Sequence, residues 1–280
     1  MKMKSRWYKV VKQTWFCAAV FVSFITSSSV SHASIIGLDS RNGMYDSTIF
    51  ATGDEYDTFR ATITSLGHTI VPVSSFETED LVGLDCLMIK QPYAGNSPTG
   101  FSDSEISAIH DFVDTGGGLV VHAEGGTGSE DFVYNLNSLV SPYGVVYADL
   151  ATANSGVVIT GFVAHPVTNS VNMIGVDYQR KLISITSPAI DLTIKSGEYN
   201  VLAVVNGAGG AGNVVMLSDT TLWKDPEAGS NYSIISGDNR LLLENIVQFT
   251  VPELTTVWML FLGSLALLRK RGRPERKSHN

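Results

Sequence analysis

Residues 102–121 read SDSEISAIHDFVDTGGGLVV, and this stretch decides the fold class. Ser102 and Glu105 make an S-x-x-E capping box, in which each side chain satisfies an exposed backbone donor of a helix's first turn. Ile106, Ile109, His110 and Val113 then fall on one face at helical spacing. Gly116, Gly117 and Gly118 end the helix, because a position with positive φ after the last turn is occupied at least cost by glycine. Leu119, Val120 and Val121 follow at once as a buried strand.

The same alternation continues toward the N-terminus. Residues 35–38 form a buried strand that ends in Asp39, 54–66 a helix closed by Gly67, 69–73 the next strand, and 84–89 another that ends near Gln91 and Pro92. Past Ser141 and Pro142 the pattern turns more β-rich, with strands expected at 145–147, 157–160, 182–186, 201–205 and 214–217. A last helix is expected over 238–249, with Asp238 as its cap and Leu241, Leu242, Asn245, Ile246 and Phe249 along one side. Strand–helix alternation of this kind predicts an α/β fold, a mostly parallel sheet with helices on both faces and β-rich additions in its second half. No fixed-period repeat and no Pro-rich linker divides 34–250, so that stretch is read as one domain.

The chain has 280 residues and a formal net charge of −8, but the charges are sorted by position. Residues 34–250 carry 8 basic against 25 acidic residues, a balance of −17, while the basic residues crowd both ends. Such a body repels nucleic acid and anionic lipid head groups. Its 2 cysteines exclude a disulfide-stapled scaffold.

The N-terminus has the parts of a secretory signal. A basic segment, 1–13, precedes an apolar run, 15–25, and a Ser-rich stretch ends in Ser31-His32-Ala33, with small residues at −3 and −1 before Ser34. Signal peptidase cleavage between Ala33 and Ser34 removes Cys17 and leaves Cys86 as the single thiol. The alternative is an uncleaved anchor. At the other end, Val251-Pro252-Glu253 precedes the apolar run 254–268 and a basic tail, 269–280. Fifteen helical residues reach about 22 Å, short of the ~30 Å hydrocarbon layer, although flanking Arg side chains can snorkel. The positive-inside rule puts the tail in the cytoplasm and the body outside it.

This tripartite end resembles the PEP-CTERM sorting signal of Gram-negative bacteria, with Leu254 in place of the second Pro of the Pro-Glu-Pro motif. The resemblance implies export across the inner membrane, recognition by an exosortase, removal of the tail, and delivery to the cell envelope or extracellular matrix. Membrane association through 254–268 is then transient; a permanent anchor is the other reading.

The body resembles the class I glutamine amidotransferase-like superfamily in its flavodoxin-like, non-catalytic branches. The strand ending at Asp39, Leu66-Gly67-His68-Thr69-Ile70, the apolar strand at Cys86, the 101–120 unit, Ala164-His165-Pro166-Val167-Thr168, and 212–219 followed by Asp238-Asn239-Arg240 carry the likeness, and their order more than any single motif. Catalytic members of that superfamily place a Cys nucleophile at a tight turn directly after a strand. The matching turn here is His122-Ala123-Glu124-Gly125-Gly126, which has neither Cys nor Ser. Cys86 lies inside an apolar strand and reads as a small buried hydrophobe. Without a nucleophile the triad logic fails, so no glutaminase activity is expected. With no His/Cys zinc spacing and no EF-hand loop, no resident metal is expected, and no cofactor either.

Asp39, Glu124 and Asp219 each fall at or just beyond a strand's carboxyl end, where parallel α/β sheets keep their ligand crevice. His122 and His165 are candidates for the same rim. Such a rim can bind a cation such as Ca²⁺ or hydrogen-bond sugar hydroxyls; the alternative is that these residues cap helices and solvate loops. Two functions follow. One is a non-catalytic binding or structural module for a polysaccharide or an envelope protein. The other is a hydrolase, with or without a metal ion, with Glu124 as general base and Asp39 or Asp219 as ligand. Gly125-Gly126-Thr127-Gly128 is read as a turn, because neighbouring Glu124, Glu130 and Asp131 would repel phosphate. Tyr93, Tyr134, Tyr143 and Tyr147 are candidates for a sugar-stacking surface.

Overall fold

A computed structural model describes residues 33–40, 54–90, 100–124, 136–149, 156–177, 179–194, 200–207, 210–228 and 231–251. Residues 1–32 of the expected signal segment, the apolar run 254–268, the basic tail, Pro252, Glu253, the 125–128 turn, Tyr93 and Tyr134 lie outside the described residues. Among the described residues no helix is long and apolar enough to cross a membrane.

A sheet of seven strands runs through the centre. Its strands are β1 (Ile35–Asp39), β2 (Thr69–Val73), β3 (Cys86–Lys90), β4 (Gly118–His122), β9 (Ile190–Asp191), β10 (Leu202–Val205) and β11 (Val214–Leu217). Two small antiparallel ladders accompany it: β5 (Val145–Tyr147) with β8 (Leu182–Ile185), and β6 (Val157–Ile159) with β7 (Ile174–Val176). The main order is β2-β1-β3-β4-β11-β10-β9. The first five strands are mutually parallel, and β10 runs antiparallel to both its neighbours. The parallel part has the 2-1-3-4-5 order of a flavodoxin-like doubly wound sheet, with β11 in the fifth place.

Alternation along the strands divides the core in two. Ile36, Leu38, Cys86, Met88, Val120, Val215 and Leu217 face helices α1 (Asp57–Ser65) and α3 (Asn239–Thr250). Leu87, Ile89, Leu119, Val121, Val214 and Met216 face helix α2 (Asp103–Asp114) and the helical residues 136–140. Strands buried on both faces read as continuous apolar runs, which is why β3, β4 and β11 stand out in the sequence.

Helix α2 starts as its sequence dictates: Ser102 accepts from the Glu105 backbone N–H, and the Glu105 side chain accepts from the Ser102 N–H. Gly118 lets the chain approach the end of α3, because a Cβ there would stand 2.0 Å from the Thr250 carbonyl oxygen. Some expectations need correction. Asp238 precedes α3 but makes no side-chain cap; its carboxylate accepts from the backbone N–H groups of Asn172 and Met173, which fastens the 172–173 segment instead. The buried face of α3 is Asn239, Leu242, Leu243, Ile246, Val247 and Thr250, turned from the expected stripe so that Leu241 and Phe249 lie at its margin. Strands β7 and β9 were not anticipated: β7 is centred on Gly175, and β9 is two residues long.

Candidate functional site

The carboxyl ends of β1, β3, β4 and β11 bring Asp39, Lys90, His122 and Asp219 to one edge of the sheet, in that order. Lys90 pairs in register with His122, and His122 with Leu217. Glu124 lies two residues past β4. Asp39 and Asp219 are three strand spacings apart, about 14 Å, so the edge is a row and not a single cluster.

Each member of the row has its own bonding. Asp39, 2% exposed, accepts from the Lys90 backbone N–H at 3.4 Å. The Lys90 side chain is buried beside it at the end of a fully apolar strand. His122 is enclosed: the Trp223 indole N–H donates to its Nε2 at 2.8 Å, and its Nδ1 lies 3.0 Å from the Ile89 carbonyl. Because Nε2 is an acceptor, Nδ1 carries the proton and donates to Ile89. Burial pushes the His122 pKa down to about 4 against the pull of that carbonyl, and the ring is neutral at pH 7. Trp223 in turn stacks on Phe59, with centroids 6.1 Å apart.

Asp219 is fully buried and accepts three hydrogen bonds, from Asp177 N at 2.7 Å, Thr221 N at 2.8 Å and Thr221 Oγ1 at 2.6 Å. Burial still outweighs these donors and raises its pKa to about 6. Glu124 accepts from the Thr220 hydroxyl, and its carbonyl accepts from Arg180 Nε at 3.1 Å. Thr220 is wholly buried, whereas Glu124 is half-buried, so the pair sits at the margin of the interior with the carboxylate's acceptor turned to the Thr220 hydroxyl.

His165 belongs elsewhere. It accepts from Val167 N through Nδ1, pairs with Asn206 through Nε2 and packs edge-on against Phe249 at 5.0 Å. Asn206 follows antiparallel β10, so His165 stands at the opposite edge of the sheet from His122. Tyr147 is buried, its hydroxyl donating to the Val121 and Leu217 carbonyls, and does not belong to a stacking surface.

Two cations that the sequence reading passed over shape this edge. Arg180, 1% exposed, donates through Nη1 to the Ala148 and Asp149 carbonyls at 2.8 and 2.7 Å and through Nε to the Glu124 carbonyl, so it ties two chain segments to the end of β4. Burial lowers its pKa, and Asp149 and Glu124 work against that shift. The other is Lys90. The available signal was scarcity, since 34–250 has only 8 basic residues, and a Lys closing an apolar strand needs a partner. Among the described residues no three His, Cys, Asp or Glu side chains are placed to hold a metal ion.

No family model matches the chain, and no curated protein matches it. Solved structures do. The mmIFT52 N-terminal domain superposes with a TM-score of 0.63 at 16% identity, over 78% of this chain and 97% of that one. The likeness is one of fold. A cytoplasmic protein from Salmonella typhimurium superposes with a TM-score of 0.52 at 15% identity, over 78% and 98% of the two chains. A glutamine amidotransferase aligns at a TM-score of 0.36 and 12% identity, over 75% and 98%.

Proposed function

We propose that the chain is exported and sorted to the cell envelope or extracellular matrix, and that its α/β domain is a glutamine amidotransferase-like module that binds without reacting. The observation that supports the binding half is the end of β4. The residues His122-Ala123-Glu124 stand where a nucleophile and its helpers would be needed, and their polar side chains are engaged by Ile89, Trp223 and Thr220. A nucleophile needs a base within reach, and the turn His122-Ala123-Glu124 offers neither Cys nor Ser, while the His122 ring is enclosed between Ile89 and Trp223. The sorting half rests on the two ends of the sequence, with a signal peptidase and an exosortase as processing partners. The material bound is a matrix polysaccharide or an envelope protein.

The test is turnover. The purified chain is incubated with glutamine and with chromogenic ester and glycoside substrates, and release of ammonia or chromophore is followed. No release above the buffer control is expected. Release that disappears in Glu124→Ala would overturn the binding reading. Intact mass of the protein recovered from the native host tests the sorting half. Loss of residues 1–33 and of the basic tail is expected, and recovery of Arg269 and everything after it would contradict exosortase processing.

A further inference from the structure

The row at the carboxyl edge leaves a second feature unused, at the opposite edge of the sheet. A groove of about 410 Å³ opens between the short helix Thr78–Leu81, the segment that leads into β3, and α2 with its glycine exit. Its floor is apolar: Leu81, Ala108 and Phe112 are 4%, 5% and 9% exposed. Val82 stands at its mouth, 77% exposed, the most exposed large apolar side chain among the described residues. Asp85 and Asp111 line it.

The charge around the groove has one sign. Between positions 74 and 118 the sequence holds eight acidic residues and one basic residue, Lys90. Lys90 is buried at the far edge of the sheet. Glu77 and Glu105 are engaged locally, with the Ser104 hydroxyl and with the Ser102 and Phe76 backbone. Among the described residues no ion pair engages Asp80, Asp111 or Asp114, all of them exposed. A bare apolar residue at a groove mouth with an apolar floor marks a contact site, and uncompensated carboxylates beside it select the sign of what comes.

We infer that this groove is a docking site for a basic–apolar protein segment, an extended stretch that seats an aliphatic side chain against Val82, Leu81 and Phe112 and sets flanking Lys or Arg side chains against Asp111 and its neighbours. A small cation alone would leave the apolar floor wet. A purely apolar peptide would leave the carboxylates without a counter-charge. The site stands apart from the β4 edge, so it is independent of whether that edge binds anything.

The probe is a fluorescein-labelled nonapeptide alternating lysine and leucine, titrated with the full-length chain and followed by anisotropy. Peptides alternating lysine with serine, and glutamate with leucine, serve as controls. Val82→Asp and Asp111→Lys both replace exposed side chains, so the fold is retained, and circular dichroism verifies it. Glu227→Lys makes the same charge change as Asp111→Lys at an exposed position away from the groove. Saturable binding of the lysine–leucine peptide is expected, weakened about tenfold or more by either groove variant and less than twofold by Glu227→Lys. Hydrogen exchange should slow at residues 78–84 and 108–117 on binding. Equal weakening by Glu227→Lys, equal binding of the lysine–serine peptide, or no binding at low ionic strength would overturn the assignment.

Discussion

His122 and Asp219 are both fully buried at the ends of neighbouring strands, and they titrate in opposite senses. His122 moves from an ordinary value of 6.5 down to about 4, so between those limits the unfolded chain takes up a proton that the folded chain refuses. Its contribution to stability therefore falls as pH falls. Asp219 moves from 3.8 up to about 6, so in that window the folded chain holds the proton. Its contribution falls as pH rises. Between pH 4 and 6 the two slopes offset each other. Asp219→Asn removes one of them. The stability of this variant, measured by urea unfolding at pH 4, 5 and 6, should rise more steeply with pH than that of the parent, by up to about 1.4 kcal/mol per pH unit. An unchanged slope would show that Asp219 does not titrate in that window. Trp223→Phe keeps an aromatic ring against Phe59 but deprives His122 Nε2 of its donor. A cost of about 1–3 kcal/mol is expected in the same measurement at pH 7. The sequence pointed to His122 because it closes a strand. It could not reveal that the imidazole is occupied, because its donor lies 101 positions away.

Helix α1 shows how a structural element can depend on a distant residue. No side chain of its own caps it; the Asp225 carboxylate accepts from the backbone N–H groups of Asp57 and Thr58 at 2.8 and 3.2 Å. A carboxylate at a helix N-terminus satisfies orphan donors and complements the dipole. The Asp225 N–H, donating to the Glu55 carbonyl, and the Lys224–Glu55 ion pair hold the same junction. Asp225→Ala should cost about 1–2 kcal/mol in urea unfolding. Amide exchange should quicken at 57–60, while that of α2, capped by its own Ser102, is unchanged. Equal quickening at α2 would mean a global loss and not a lost cap. The contrast also explains which elements were legible. The limits of α2 could be read because its capping box and glycine exit lie within the 102–118 stretch. The start of α3 falls where the sequence places it, with Asp238 at the cap position, but the Asp238 side chain does not cap the helix because it is claimed by Asn172 and Met173. The β-strands with apolar runs of four or five residues were found, whereas β9 is held by pairing with β10 and has no run of its own.

At the scale of the whole molecule, the strand–helix alternation implied a parallel sheet, but not that β11, from the far end of the chain, would lie beside β4. That placement comes from long-range packing, and two glycines record how tightly α3 and β11 close the domain. A Cβ on Gly118 would meet the Thr250 carbonyl oxygen at 2.0 Å, and one on Gly212 would meet the Gly117 carbonyl oxygen at 1.8 Å. Backbone oxygens cannot swing aside as a flexible side chain can. Gly83 is the opposite case: its φ is +83° and a Cβ there would meet nothing within 4 Å, so alanine would cost only backbone strain. Comparing the two separates strain from closure. Gly83→Ala should lower stability by about 1–2 kcal/mol. Gly118→Ala must instead move the end of α3 away from the start of β4, disturbing the contacts of Val247 and Val251 and the Cys86–Thr250 contact beneath them. A loss of more than about 4 kcal/mol is expected from urea midpoints, with amide protection falling first along 246–250. If Gly118→Ala costs no more than Gly83→Ala, the last helix is not locked against the central strand.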